Sequence, residues 1–246
     1  MNELLNKLRN TNRFNARDFI DNNVYDFIQF KTKESHPSVI GGVGQLKDFP
    51  IAIIANFRGT NITERIATNF GMATSTGYRS ALEMLNQAKK QKLPVITFIE
   101  MSGADPSMQS ENDQQSQAIA NFLNAMGQYP YLNIATILSE GHSGGALAFA
   151  NANYLLMLED AIFNVASPEA AVSILKNKYS VEQLTDILPM RANQLKQIGV
   201  ADFIIAQVDD KKAQSQLISD RIIEIIKDNS FEQDFVSHRF DKLKKI

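Results

Sequence analysis

The feature of this chain that most constrains its fold is an apolar run that leads through a glycine turn into a helix of small residues. Residues 134–138 read IATIL, residues 139–145 read SEGHSGG and residues 146–150 read ALAFA. The first N–H groups of a helix lack partners within it, and the helix dipole places positive potential there. Gly144 and Gly145 carry no side chain that would keep a ligand from this backbone. The turn is therefore interpreted as a main-chain cradle for an anion, and the alternative is a turn that needs glycine only for packing.

The bulk composition fits one large globular domain and excludes several kinds of function. The chain has 246 residues, 44% of them hydrophobic and 21% charged, which is enough for a full core. Its formal net charge of −2 gives no electrostatic reason to expect binding to nucleic acid or to an anionic membrane. The absence of cysteine excludes disulfides, thiolate zinc sites and a cysteine nucleophile within this chain. The histidines lie far apart without metal-ligand spacing, so no metal is expected in this chain.

The sequence also bears on where the protein works. It contains no apolar run of the length that a membrane span requires. Residues 1–10 lack the apolar segment of a signal peptide, and a chain without cysteine fits a reducing cytosol. We therefore expect a cytoplasmic protein that makes no contact with a membrane.

Short apolar runs alternate with helical patterns along the chain. Four runs are nearly continuous in apolar residues, which is typical of strands covered on both faces. They are residues 51–55, 95–99, 134–138 and 154–158. Weaker strand patterns occupy residues 38–40 and 162–165, and helical patterns occupy residues 78–91, 115–126, 214–227 and the segment up to about residue 33. The alternation predicts an α/β fold with a largely parallel sheet, in which the loops after 95–99 and 134–138 are neighbours.

Several short motifs follow one another in a characteristic order. They are IGG at 40–42, NFGM at 69–72, GYR at 77–79, PVITFI at 94–99, GA at 103–104, SGGALA at 143–148 and SPE at 167–169. In this order and spacing, the chain resembles the alpha-subunit family of the bacterial multi-subunit acetyl-CoA carboxylase carboxyltransferases. The resemblance extends from about residue 38 to about residue 208.

The resemblance implies a crotonase-type (ClpP/crotonase) fold, an α/β arrangement of stacked β-β-α units with flanking helices. It implies a single carboxyltransferase alpha-type domain over residues 1–246. Within it we expect an N-terminal helical segment at 1–37, a crotonase-like core at 38–208 and a C-terminal helical segment at 209–246.

The resemblance further implies a biotin-dependent transferase that moves a carboxyl group from carboxybiotin to acetyl-CoA, giving malonyl-CoA for fatty acid biosynthesis. Biotin is expected on a separate biotin carboxyl carrier protein, and a zinc-bearing beta subunit is expected to complete an α2β2 assembly. Loss of the carboxyl group leaves negative charge on the ureido oxygen of biotin, and loss of a methyl proton turns acetyl-CoA into an enolate. Both oxyanions gain from preorganised N–H donors, and biotin itself can accept the proton.

The family match also assigns the residues of the site. Gly144 and Gly145 are the expected backbone donors to the biotin oxygen, and Gly103 and Ala104 are expected to line the neighbouring wall. The remaining binding residues expected from the match are Gly141, His142, Ser143, Arg58 and Arg79.

Four side chains near these motifs carry charge. Arg58 and Arg79 are candidates for carrier or substrate contacts, or for fixing loops. Glu140 and Glu169 are expected to hydrogen-bond loop backbone rather than to act as bases.

The loops depart from the family pattern at two notable positions. His142 stands where the family has glycine, and it carries some strain if the backbone there has a positive φ. Asp105 stands where the family has an aromatic residue, and it places a like charge beside an anion site unless it is paired or points away.

These departures leave two alternatives to an active subunit. The first is a divergent, non-catalytic paralogue that binds a beta-type partner without turnover. The second is a self-sufficient crotonase-type enzyme on another acyl-CoA, such as a hydratase, which needs a side-chain acid or base near the cradle. The nearest carboxylates in sequence for that role are Glu140, Asp105 and Glu111.

Overall fold

The computed structural model describes residues 3–230 and 234–244, in which one eight-stranded sheet is flanked by helices. In chain order the elements are α1 Glu3–Leu8, α2 Ala16–Asn23, β1 Val24–Gln29, β2 Val39–Leu46, β3 Phe49–Asn56, α3 Ile62–Ala67, α4 Ser75–Lys90, β4 Val95–Met101, α5 Met108–Asn112, α6 Gln115–Gly127, β5 Asn133–His142, α7 Ser143–Ala150, β6 Tyr154–Leu158, β7 Ile162–Asn164, α8 Pro168–Ile174, α9 Val181–Ile187, α10 Ala192–Gln197, β8 Phe203–Ile205, α11 Lys211–Asp228 and α12 Phe235–Leu243. A short 3-10 turn, Asn69–Gly71, joins α3 to α4.

The sheet changes from antiparallel to parallel along its strand order, which is β1-β2-β3-β4-β5-β6-β8. The first three strands form an antiparallel meander. From β3 onward every pairing is parallel, and β7 pairs with the end of β5 beyond β6. The predicted largely parallel sheet is therefore confirmed, and it places the carboxyl ends of β4 and β5 side by side.

Strands β4 and β5 are buried along their whole length, as their continuous apolar runs predict. Successive side chains of β4 face opposite helical layers. The ring of Phe98 packs 4.8 Å, centroid to centroid, from Phe19 of α2. The hydroxyl of its neighbour Thr97 donates to the backbone oxygen of Phe149 in α7. Helices on both faces thus exclude water from the strands that end at the site.

The predicted elements are confirmed except near the N-terminus. The weak strand at 38–40 extends to Leu46 as β2, and that at 162–165 becomes β7. The prediction of helix up to residue 33 is wrong from residue 24 onward, because residues 24–29 form strand β1 against β2. Helix α2 is defined locally by a capping box between Asn15 and Asp18, whereas β1 depends on pairing with β2, which begins ten residues after β1 ends.

Within residues 3–230 and 234–244, the helices are all too short or too polar to cross a membrane.

Candidate active site

The turn between β5 and α7 holds the main-chain donors predicted from the sequence. Strand β5 stays extended through His142, whose φ is −133°, and the helix begins at Ser143. The left-handed conformation falls on Ser143, with φ 63°, rather than on His142. The strain anticipated at residue 142 is therefore displaced by one residue.

The first turn of α7 has no side-chain cap. His142 occupies the N-cap position, but its side chain makes no capping hydrogen bond. An N-cap side chain ordinarily accepts from the second or third N–H of the helix, which here belong to Gly144 and Gly145. The N-cap side chain therefore takes neither donor; Gly144 is exposed, whereas Gly145 is buried.

The two glycines have different structural roles. A Cβ on Gly145 would lie 2.4 Å from the Tyr78 hydroxyl and 3.0 Å from the Ala104 Cβ, so glycine is required there for packing. A Cβ on Gly144 would meet only Ile119 Cγ2, at 3.9 Å, which is an ordinary contact. The packing interpretation of the turn therefore holds for Gly145. Gly144 is exposed, and the absence of a side chain at this residue leaves its backbone accessible to a ligand.

The loop after β4 lies against this turn, as the strand order predicts. The pairing of β4 with β5 ends with Met101 opposite Gly141, and Ala104 packs on Gly145. Gly103 has φ 149°, and no atom lies within 4 Å of where its Cβ would be. The structure thus brings Gly103 and Ala104 beside the start of α7.

A pocket opens directly at the first turn of α7, and we call it the cradle pocket. Its volume is about 270 Å³. The lining is mostly apolar and comprises Ser143, Gly144, Leu147, Phe163, Asn164, Val165, Pro189, Leu195 and Val200. The Nδ2 atom of Asn164 is buried without a hydrogen-bond partner among the described residues. An apolar pocket with a few convergent polar donors is typical of a site for a small organic group.

Behind the turn lies a buried charge cluster centred on Glu140. Its carboxylate accepts two hydrogen bonds from Arg9, at 2.8 and 2.9 Å, and another from Arg58 Nη2. The Nε2 atom of His142 lies 3.3 Å from the same carboxylate. Arg9 also binds Glu169 at 2.6 Å. Both carboxylates bind arginine side chains, which the prediction of hydrogen bonds to loop backbone did not include, and Glu169 also accepts a hydrogen bond from its own backbone N–H.

This cluster fixes the charge state of Glu140. Burial alone would raise its pKa, but the charge of Arg58 and the hydrogen bonds from His142 and Arg9 hold the pKa well below the ordinary value. A carboxylate held this firmly as an anion is a poor base at neutral pH. Its role is to anchor the two arginines.

A second pocket, of about 400 Å³, lies on the other side of the cluster, and we call it the arginine pocket. Its lining comprises Arg9, Arg58, Arg65, Phe70, Met72, Ser102, Ser167 and Glu169. Arg58 is only 6% exposed, and its Nη1 atom is buried without a partner among the described residues. Burial and the nearby charge of Arg58 both lower the pKa of Arg65. An anion bound in this pocket would supply a hydrogen-bond partner for Arg58 Nη1 and would offset the repulsion between Arg58 and Arg65.

Asp105 does not oppose an anion in the cradle, because its charge is engaged within its own loop. It accepts hydrogen bonds from Ser107 at 2.6 Å, from Ser110 at 2.5 Å and from Asn69 at 3.1 Å. Burial acts to raise the pKa of Asp105, but these hydrogen bonds hold it below the ordinary value. The carboxylate thereby organises the start of α5.

Arg79 is the one predicted site residue that the structure draws away from the cluster. Its Nε atom binds Glu34 at 2.8 Å, and its Nη1 atom donates to the backbone oxygen of Asp113 at 3.1 Å. It lines neither the cradle pocket nor the arginine pocket. These contacts favour the loop-fixing role among those considered from the sequence.

Sequence reasoning missed three residues of the site. Arg9 lies 131 residues from Glu140, and no local pattern marks it. Glu100 is the next-to-last residue of the buried strand β4, and burial raises its pKa to about 7 against the effect of Arg58. Asn164 was included only as part of a weak strand. The polar residue at the end of an apolar run was the available signal for Glu100 and Asn164.

No group of three or more potential ligands in the described part of the chain is placed to hold a metal ion.

Comparison with known proteins gives a consistent result. A family model described as acetyl co-enzyme A carboxylase carboxyltransferase-like matches residues 3–246. The acetyl-coenzyme A carboxylase carboxyl transferase subunit alpha of Clostridium botulinum (strain Alaska E43 / Type E3) is 33% identical to this chain over 249 residues. The match covers 97% of this chain and 91% of that relative.

Two longer chains match over less than half of their own length. A protein of Natranaerobius thermophilus (strain ATCC BAA-1301 / DSM 18059 / JW/NM-WN-LF) named acetyl-coenzyme A carboxylase carboxyl transferase subunits beta/alpha is 30% identical, covering 97% of this chain and 41% of its own. The solved structure of a transcarboxylase 12S core with hydrolysed methylmalonyl-coenzyme A bound gives a TM-score of 0.70 at 16% identity. That match covers 87% of this chain and 42% of the other, and it confirms the predicted crotonase-type fold.

Proposed function

The chain belongs to the acetyl-CoA carboxylase carboxyltransferase family, and from this premise we propose that it is the alpha subunit that helps move a carboxyl group from biotin to acetyl-CoA. The product is malonyl-CoA, used in fatty acid biosynthesis. The observation that carries the proposal is the uncapped first turn of α7, where Gly144 opens the backbone to the cradle pocket.

The residues present fit a biotin ring. The lining of the cradle pocket is mostly apolar and includes Gly144, and the Nδ2 atom of Asn164, which has no partner among the described residues, is a further potential donor. Bound biotin supplies the carboxyl group and a ureido oxygen on which negative charge accumulates. The N–H groups of Gly144 and Gly145 donate to that oxygen, and Gly103 and Ala104 form the adjacent wall.

The cradle lowers the energy of the charged state more than that of the neutral one. Donors held by a helix need no reorganisation when charge develops, and loss of one such donor typically costs about 3–4 kcal/mol. The Ser143 backbone and the helix dipole add to the positive potential at the same point.

Arg58 is proposed to bind the carboxylate of the product malonyl-CoA in the arginine pocket. Nη2 of Arg58 donates to the Glu140 carboxylate, and this contact fixes the orientation of the guanidinium. Its Nη1 atom has no partner among the described residues. A guanidinium whose geometry is set in advance loses little side-chain entropy on binding a carboxylate. Arg79 is proposed to fix loops through Glu34 instead of touching substrate.

The alternative of a self-sufficient hydratase requires a free acid or base, and two of the carboxylates considered for that role from the sequence, Glu140 and Asp105, do not supply it. Glu140 is occupied by two arginines, and Asp105 is occupied by Ser107 and Ser110. Proton transfer to biotin itself removes the need for a side-chain base. The pairing of Asp105 also weakens the main reason to regard the chain as a non-catalytic paralogue.

Partners follow from the same premise. The fused beta/alpha relative supports a beta-type partner for this chain. We propose that residues 1–246 act as one alpha-type domain in an α2β2 assembly with a zinc-bearing beta subunit, in the cytoplasm. Biotin is proposed to arrive on a biotin carboxyl carrier protein.

The test is carboxyl transfer by the co-purified complex of this chain with its beta-type partner, followed as release of acetyl-CoA from malonyl-CoA in the presence of free biotin. We expect transfer with the wild type, and a loss of about 100-fold or more in Gly144→Val, since a branched side chain at the second residue of α7 obstructs the approach of an acceptor to the first N–H groups of the helix. Ser116→Val is the matched control, because Ser116 is an exposed residue in the first turn of α6. A complex that assembles and transfers nothing would identify a non-catalytic paralogue, and normal transfer in Gly144→Val would remove the cradle assignment.

A further inference from the structure

The side chain of Tyr78 reaches the place where the two loops of the site meet, and the proposed function gives it no role. Tyr78 is the fourth residue of α4 and is completely buried. Its hydroxyl lies 3.4 Å from Sδ of Met101, the last residue of β4. A Cβ on Gly145 would collide with the same oxygen atom. One hydroxyl therefore contacts both the end of β4 and the first turn of α7.

This hydroxyl contributes little to stability through its hydrogen bond. Among the described residues, its only partner is the thioether sulfur of Met101, which is a weak acceptor. The buried hydroxyl of Tyr129, in contrast, donates to the backbone oxygen of Leu93 at 2.7 Å. A phenylalanine at position 78 would fill the same space without burying a polar atom on a weak acceptor. The Tyr78 hydroxyl therefore needs an explanation other than stability.

The surroundings hold the Tyr78 oxygen in a fixed place. The Tyr78 ring packs 5.8 Å, centroid to centroid, from Phe149 of α7, and Phe149 packs 4.8 Å from Phe122 of α6. Ala104, in the loop after β4, has its Cβ 3.0 Å from the position that a Cβ on Gly145 would take. The oxygen, the loop and the helix turn thus meet around Gly145. In a closely packed interior, removal of one of these contacts allows the others to shift.

We propose that Tyr78 is a positioning residue whose hydroxyl oxygen sets the spacing between the loop at Gly103 and Ala104 and the first turn of α7. The role rests on the proposed function, since the spacing matters for catalysis only if the N–H groups of this turn bind the biotin oxygen. Tyr78 lines neither the cradle pocket nor the arginine pocket, so it acts through the turn and not on a ligand.

The rate is sensitive to this spacing because the donors are effective only over a narrow range. An N–H group stabilises developing charge when it lies roughly 2.7–3.1 Å from the charged oxygen. A displacement of about 1 Å can cost about 100-fold in rate. A smaller shift of the turn, of the kind that loss of one buried oxygen allows, should therefore lower kcat without removing the site.

The experiment compares two variants that each lose one buried hydroxyl. Tyr78→Phe removes the oxygen and keeps the ring against Phe149. Tyr129→Phe is the matched control, because Tyr129 is also buried but lies in the loop before β5 and lines neither pocket. Carboxyl transfer from malonyl-CoA to free biotin is measured in the complex with the beta-type partner, and urea unfolding is measured on each full chain.

We expect opposite results from the two variants. Tyr78→Phe should lower kcat about 10-fold, leave the KM for malonyl-CoA unchanged and keep the urea midpoint of the wild type. Tyr129→Phe should lower the urea midpoint, because it leaves a buried carbonyl without its donor, and should keep the kcat of the wild type.

Three results would overturn the positioning role of Tyr78. They are a wild-type kcat in Tyr78→Phe, a raised KM with unchanged kcat, and a loss of stability as large as that of Tyr129→Phe, including failure to fold. The last of these would make the Tyr78 hydroxyl a structural group only. Absence of transfer in the wild-type complex would instead refute the proposed function, and the positioning role with it.

Discussion

The two ends of strand β5 each bury an arginine, and they do so in opposite ways. At the amino end Arg239, 1% exposed, is surrounded by neutral acceptors. It donates to the Gly127 oxygen at 2.6 Å, to Asn133 Oδ1 at 3.0 Å and to Asn153 Oδ1 at 2.8 Å. At the carboxyl end Arg58 faces the anionic Glu140.

The difference lies in what each end leaves unpaired. Among the described residues, no nitrogen of Arg239 is without a partner. Arg58 Nη1 and His142 Nδ1 are buried and have none. A buried polar atom without a partner costs about 1–3 kcal/mol, so it persists where a ligand supplies the missing bond. Arg239 therefore contributes to stability at the amino end, whereas Arg58 leaves a donor for the ligand that we propose at the carboxyl end.

The largest loss of stability is expected from a substitution at the amino end of β5. Arg239→Met leaves several buried oxygens without donors, and we expect the free energy of unfolding to fall by roughly 3–5 kcal/mol. Lys244→Met on the same helix is the control, since the Lys244 side chain is 75% exposed, and its expected change is within about 0.5 kcal/mol. Urea unfolding measures both. An Arg239 variant as stable as the control would show that the amino end is not a structural anchor.

The next largest loss of stability is expected from a substitution at the carboxyl end of β5. Glu140→Gln leaves Arg9 and Arg58 without their shared anion, and we expect a loss of about 3 kcal/mol at pH 7. The folded-state pKa of Glu140 is depressed, so its contribution is present above the unfolded pKa and is lost as pH falls below about 4.5. The difference from wild type is therefore expected to shrink in acid.

Exposed Glu224→Gln is the matched control for this change, because Glu224 pairs with Arg221 on the surface of α11. Its expected effect is within about 0.5 kcal/mol at any pH. A Glu140→Gln deficit that stays constant from pH 7 to pH 3 would contradict the ionic anchor.

The smallest effect is expected at Glu100, also at the carboxyl end, where the substitution should raise the free energy of unfolding instead of lowering it. Burial raises the pKa of Glu100 to about 7, so the folded state binds this proton more tightly than the unfolded state does. Wild-type stability should therefore decrease as pH rises from about 4.5 to 7. We expect Glu100→Gln to be more stable than wild type by roughly 2–3 kcal/mol at pH 8 and equal to it near pH 4.

Thermal unfolding at the two pH values measures this difference. The exposed Glu111→Gln is the control and should match the wild type at both. A Glu100→Gln variant that is less stable than wild type at pH 8 would mean that Glu100 is an anion whose pairing with Arg58 outweighs its burial.

The contrast between the two ends also explains what the sequence predicts well. The apolar runs of β4 and β5 specify their own burial, and the glycine turn specifies the uncapped start of α7. These are local patterns with a fixed period or a fixed turn chemistry. The fold was therefore accessible from the sequence, and the use of the turn as a cradle stays a prediction.

The charge clusters were not accessible in the same way. Arg9 and Arg239 each reach β5 across more than a hundred residues, 131 to Glu140 and 106 to Asn133. Composition shows how many arginines a chain has, but only the fold shows which of them meet. Asp105 shows the intermediate case, because its partners Ser107 and Ser110 lie close in sequence, whereas Asn69 does not.

Strand β5 is bound at its carboxyl end by Arg9, near the start of the chain, and at its amino end by Arg239, far along the chain. This arrangement has a consequence for synthesis of the protein. Residue 9 leaves the ribosome long before β5, but Arg239 follows Asn133 by 106 residues. At about 5–20 residues per second, the amino end of the strand waits roughly 5–20 s for its guanidinium. During that interval a strand with an apolar central run, residues 134–138, is held at one end only. The nascent chain therefore has its greatest need of a chaperone after its core strands are made and before its last helix emerges.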